Sequence, residues 1–65
     1  MTEEQLYELR SHNDTVFSEL EEMAEIAYAT NDTAVYRSIL LMQANARAID
    51  HMIARMLATR PEVQP

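Results

Sequence analysis

From its first residue to Arg60 the chain contains neither glycine nor proline, and its two prolines, Pro61 and Pro65, stand at the C-terminal end. Those two residue types weaken a helix interior most, so a stretch of this length without them favours long helices. Sixty-five residues make at most one domain, near the lower limit for folding alone. With 48% hydrophobic residues the composition is that of a folding chain, not a disordered one. The absence of cysteine removes disulfides, thiolate catalysis and cysteine zinc sites.

The expected helices have clear ends. Thr2-Glu3-Glu4-Gln5 has the spacing of a capping box, with threonine at the N-cap and glutamine three residues on. Thr30-Asn31-Asp32-Thr33 is the one interior turn signal: Asn31 tolerates the left-handed conformation that closes a helix, and Asp32 then caps the next. Helices are therefore expected over about 3–30 and 33–60, with a turn at 30–33 and a frayed tail at 61–65. So short a turn sends the second helix back along the first. The whole chain, 1–65, is read as a single helical hairpin.

Within the first helix Leu6, Leu9, Asn13, Val16, Leu20, Met23, Ala27 and Thr30 recur in steps of three and four. The second repeats the spacing with Val35, Ile39, Met42, Ala46, Ile49, Ile53 and Met56. Each set forms one stripe. Folding about the turn pairs positions that sum to roughly 62. Expected layers are then Ala27 with Val35, Met23 with Ile39, Leu20 with Met42, Val16 with Ala46, Asn13 with Ile49, Leu9 with Ile53 and Leu6 with Met56. Asn13 is a polar residue on this stripe, which reads either as a register determinant or as a residue tolerated at a wet helix end. Arg10 and Asp50 fall on one flank of adjacent layers and are expected to pair.

The stripe is wider than one neighbour covers. Phe17, Ala24 and Ile26 flank it on the first helix, and Leu41, Ala48, Met52 and Leu57 on the second. Helices with apolar residues on both sides of a seam belong to bundles in which each makes two contacts. The expected fold class is all-α, an antiparallel two-helix hairpin that dimerises into a four-helix bundle. In length and architecture the chain resembles the ROP type of plasmid-encoded regulator, a two-helix hairpin dimer. That family binds RNA through a basic helix face; no basic face is present here, so the resemblance implies the assembly and not the RNA function.

Charge divides the chain. Residues 1–30 hold eight acids and one arginine, a net charge of −7, and residues 31–65 hold three acids and four arginines, a net charge of +1. An acidic surface disfavours phosphate backbones and anionic membranes, so neither direct nucleic-acid binding nor membrane association is expected. The segment Met1 to Arg10 is acidic and has no apolar core of the signal-peptide kind, and apolar runs fall far short of the ~20 residues of a membrane span. The expected location is the cytoplasm.

No set of residues has the spacing of a catalytic or cofactor site. Glu8 and His12 stand at i, i+4, but bundle metal sites take two glutamates plus two Glu-x-x-His motifs on facing helices, and here the second helix offers only Asp50-His51. Ser18-Glu19-Leu20-Glu21-Glu22 lacks the glutamine of the Ser-Gln-Glu-Leu-Asp motif found in two-helix aspartyl-phosphatase regulators, and it lies on the first helix, so that activity is not carried over. What remains is a surface. Tyr36, Leu40, Gln43, Arg47 and His51 follow one another along the second helix, with Tyr28 across the turn. Tyrosine and arginine are enriched at binding hot spots, which makes these six the expected partner-binding residues. The seam and dimer core are expected from Leu6, Leu9, Asn13, Val16, Phe17, Leu20 and Met23 with Ile39, Met42, Ile49, Met52, Ile53 and Met56.

The function expected is that of a small non-enzymatic regulator that needs no cofactor or metal and binds another protein. Small phage-encoded proteins that block a host transcription factor are similar in size and helical build. The alternative is an acidic nucleic-acid mimic that blocks a DNA-binding protein through Glu19, Glu21, Glu22 and Glu25.

Overall fold

A computed structural model describes residues 1–60 as two helices, α1 (Glu3–Ala29) and α2 (Thr33–Ala58), packed against each other as an antiparallel hairpin. The frayed tail expected at 61–65 lies outside the described residues.

Both helix starts are made by side chains the sequence singled out. Thr2 Oγ1 accepts from the Gln5 amide at 3.1 Å, and Gln5 Oε1 accepts from the Thr2 amide at 2.9 Å, which completes the capping box. Asp32 Oδ1 accepts from the Val35 amide at 3.1 Å and opens α2. Between them Asn31 has φ 57°, in the left-handed region. The Asp32 amide donates to the Ala27 carbonyl at 3.0 Å and the Asn31 amide to the Tyr28 carbonyl at 3.1 Å. These are the two bonds of a Schellman closure. In a chain without glycine, asparagine takes the position that glycine usually fills.

The helix–helix seam differs from the expected one by a rotation of each helix. On α1 it is built from Leu6, Arg10, Asn13, Phe17, Leu20, Ala24 and Ala27, all buried or half-buried. On α2 the matching residues are Tyr36, Ile39, Gln43, Ala46, Asp50, Ile53 and Leu57. Cross-helix bonds join Arg10 to Asp50 and Asn13 to Ala46, so paired positions sum to 59 or 60, not 62. The residues common to both arrangements, Leu6, Leu20, Ala27, Ile39, Ala46 and Ile53, are the buried apolar core. Expected seam members Leu9, Val16, Met23, Val35, Met42, Ile49 and Met56 are instead exposed. The layers proposed for them, Leu9 with Ile53 or Met23 with Ile39 among others, do not form.

The physical reason lies in what each rotation satisfies. Alanines at 24, 27 and 46 let the backbones come close, and in this rotation Arg10 pairs with Asp50 and Asn13 reaches the Ala46 carbonyl. The seam that results is apolar near the turn, where Leu20, Ala27, Ile39 and Ala46 cluster with Phe17, Ala24 and Tyr36 against them. It is polar at its waist and apolar again at Leu6 and Ile53. Arg60 donates to the Met1 carbonyl and ties the open end.

The shape is a rod of 55 × 15 × 13 Å with a radius of gyration of 15.5 Å. A compact domain of this length would have a radius of about 11 Å. One hairpin is a single layer with two broad sides.

Candidate protein-interaction surfaces

The rotation of the seam leaves the two broad sides chemically different. One carries Leu9, Val16 and Met23 from α1 beside Val35, Met42, Ile49 and Met56 from α2, each between 38% and 51% exposed. They follow heptad spacing on their own helices, so each set forms a straight row. That the two rows share a side is seen near the turn, where Met23, Ile26 and Val35 line one groove of about 230 Å³ over Ala27 and Ile39. Met52 and Ile26 widen the apolar area at its edges. Together the rows expose roughly 600 Å² of apolar surface, at or above the largest patch that a typical monomer leaves uncovered.

The other side is built around aromatic rings and charge. Here Phe17 rises from the seam, and the Arg47 guanidinium sits 5.1 Å from its ring centroid. This is within the range of a cation–π contact. Around them Asn13, Asp14, Ser18, Ala46, Asp50 and His51 complete an open groove of about 490 Å³. Arg10 closes one end of this region with an Nε–Oδ1 bond of 2.8 Å to Asp50. That hydrogen bond, and secondarily the Asp50 charge, raise the Arg10 pKa above its ordinary value. Nearer the turn Tyr28 and Tyr36 stack with ring centroids 5.6 Å apart and planes tilted by 55°. They border a second, smaller hollow with Asn31 and Asp32.

Of the six residues expected to bind a partner, the structure brings five to this side. Tyr28, Leu40, Arg47 and His51 are exposed, and Tyr36 is half-buried against the core. Gln43 is not on the surface: at 8% exposure it lies in the seam, because the rotation turned its column inward. The grouping adds Phe17, expected in the core, Asp50, expected in a pair with Arg10, and Asp14. The spacing that reveals Phe17 is Arg10, Asn13, Phe17, Leu20, a second row of threes and fours that the more apolar row obscures.

Glu8 and His12 lie on α1 along a shallow groove with Met1, Gln5 and Leu9. Among the described residues no three histidine, cysteine, aspartate or glutamate side chains gather in a way that would hold a metal ion. Likewise, among the described residues no helix is long and apolar enough to cross a membrane. Compared with known proteins, the chain matches no family model, no curated protein and no solved structure.

Proposed function

We propose that this chain is a non-enzymatic, protein-binding regulator, an inhibitor, anti-activator or adaptor of a bacterial protein, and that it acts as a homodimeric four-helix bundle of two hairpins. The observation that supports this reading best is the difference between the two sides. An apolar side covered by a second hairpin leaves the aromatic and charged side facing outward, once on each protomer. Tyrosine, arginine and a pocket between them are the ordinary ingredients of a binding hot spot. The seam supports the same division of labour: its polar waist at Arg10–Asp50 and Asn13–Ala46 favours one register, while a further set of large apolar groups stands where a second chain would bury them.

The test is capture from a bacterial lysate with the whole chain and with Tyr28→Ala and Arg47→Ala variants as bait. A partner of the proposed surface is retained by the parent chain and lost by both variants. Capture that both variants keep would reject the surface.

One observation favours the acidic mimic as a second reading. All eight acids of α1, Glu3, Glu4, Glu8, Asp14, Glu19, Glu21, Glu22 and Glu25, are exposed. Ionic strength separates the readings, since binding through a carboxylate array weakens steeply with salt and binding through an aromatic and apolar site does not.

A further inference from the structure

The charge of the two helices decides how a second hairpin is seated on the apolar side. Two arrangements bring those sides together around a two-fold axis. With the axis across the helices, the turns lie at opposite ends and each α1 packs on the partner's α1. With the axis along the helices, the turns lie at one end and each α1 packs on the partner's α2.

These arrangements are not electrostatically equivalent. Helix α1 carries eight acids and one arginine, a net charge of −7, and α2 carries one acid and three arginines, a net charge of +2. Adjacent helices in a bundle lie about 8–10 Å apart. The crossed axis therefore places −7 against −7 at roughly one Debye length, about 8 Å at physiological ionic strength. The parallel axis places −7 against +2 there and moves the two α1 helices to the diagonal, about 14 Å apart, where screening more than halves their repulsion. Since the hairpin already sets α1 beside α2, every neighbour in the bundle is then of opposite sign.

The polar interruptions of the apolar side fit this seating. Glu19 and His12 border the α1 row, and Ser38 and Asn45 border the α2 row, by their three- and four-residue spacing from Val16 and Met42. Glu19 and Ser38, like His12 and Asn45, sum to 57, close to the 59 or 60 of the hairpin's own register. At equal height along a shared axis Glu19 meets Ser38 and His12 meets Asn45 across the interface, with the apolar rows meeting between them. Complete burial of the rows of both copies would cover on the order of 1,200 Å², the lower edge of a stable specific interface.

We propose that the dimer formed by this chain has its two-fold axis parallel to the helices, with both turns at the same end and each α1 packed against the α2 of the second copy. This rests on the homodimer of the proposed function and adds its topology. It gives the dimer one end at which both Tyr28–Tyr36 pairs stand, on opposite outer faces, so that a two-fold partner embracing that end meets both.

The chain has no cysteine, so one introduced thiol carries one spin label. Ala29 and Ala34 are exposed on either side of the turn, which makes Ala29→Cys and Ala34→Cys suitable sites. Pulsed dipolar spectroscopy on each labelled full-length dimer should give inter-label distances of about 20–30 Å. Turns at opposite ends would separate the labels by at least a helix length, above roughly 40 Å. That result overturns the topology and leaves the dimer standing. Monomeric mass by light scattering, with no dipolar coupling, overturns both.

Discussion

Asn13 donates through Nδ2 to the backbone carbonyl of Ala46 at 2.8 Å, crossing from α1 to the main chain of α2. The bond exists because residue 46 is an alanine: a longer side chain there would hold the helices apart, and a carbonyl inside a helix is reached only at close approach. The Ala46 carbonyl keeps its helical partner when Asn13 is removed, so no group is orphaned. Asn13→Ala should therefore cost only about 1 kcal/mol, the ordinary net value of one such bond. Ala46→Leu should cost more, about 1–3 kcal/mol, by forcing extra volume into the closest part of the seam. Urea denaturation of the two variants checks the order, and an Ala46→Leu protein as stable as the parent would contradict it.

Asn31 supplies the left-handed residue of the turn, and its replacement has a clear sign. Asn31→Ala should destabilise the hairpin by about 1 kcal/mol, because a β-carbon in the left-handed region meets the following carbonyl without the local hydrogen bonding that asparagine offers. Asn31→Gly should be neutral or mildly stabilising. Melting temperatures decide the matter; an alanine variant that melts above the glycine variant would mean that the closure does not depend on φ at this position.

Much of the fold is written in local signals. The capping box at Thr2 and Gln5 and the closure at Asn31 and Asp32 are each set by a few neighbouring residues, and the sequence placed them correctly. The rotation of the helices was not legible in the same way. Leu6, Asn13, Leu20 and Ala27 belong equally to the row with Leu9, Val16 and Met23 and to the row with Arg10, Phe17 and Ala24. Hydrophobicity favours the first row as the seam, but the helices meet along the second, with close approach at the alanines and the Arg10–Asp50 pair on its flank. Both depend on residues thirty or forty positions apart, which periodicity along one helix does not weigh. The same rotation took Gln43 off the expected binding strip and brought Phe17 beneath Arg47.

The apolar side should govern association without governing the hairpin. Met42 and Ile49 are 51% and 38% exposed in one hairpin, so a charge at either is solvated when the chain is alone and buried when it is paired. Met42→Glu and Ile49→Glu should each weaken dimerisation by at least ~100-fold, or about 2.7 kcal/mol, by leaving a carboxylate desolvated and unpaired at the interface. Analytical ultracentrifugation across a concentration series reads this directly. Helical circular dichroism at low concentration distinguishes dissociation from unfolding. Dimers of unchanged affinity in both variants would place the contact elsewhere.

The binding surface makes the sharpest demand, and the structure sets which substitution tests it cleanly. Tyr36 packs on the core cluster, so Tyr36→Ala would lower stability as well as remove a contact, and a loss of binding there would be ambiguous. Tyr28 is 71% exposed and Arg47 stands over the Phe17 ring at the surface, so alanine at either position leaves the seam intact. If this side is the one that meets a partner, Tyr28→Ala and Arg47→Ala should each weaken the complex by roughly 1–3 kcal/mol with little change in melting temperature. Charge reversal at Glu21, Glu22 and Glu25 tests the competing surface. Glu21 and Glu25 border the aromatic side by spacing, whereas Glu22 lies at the back of α1, so a contribution from rim charge alone should be modest and screened by salt. Titration of the captured partner by calorimetry at low and high ionic strength separates the two. Affinity that collapses on reversing the acids, falls steeply with salt and survives Tyr28→Ala belongs to the phosphate mimic. Affinity that survives the reversals and high salt but falls with Tyr28→Ala and Arg47→Ala belongs to the aromatic side.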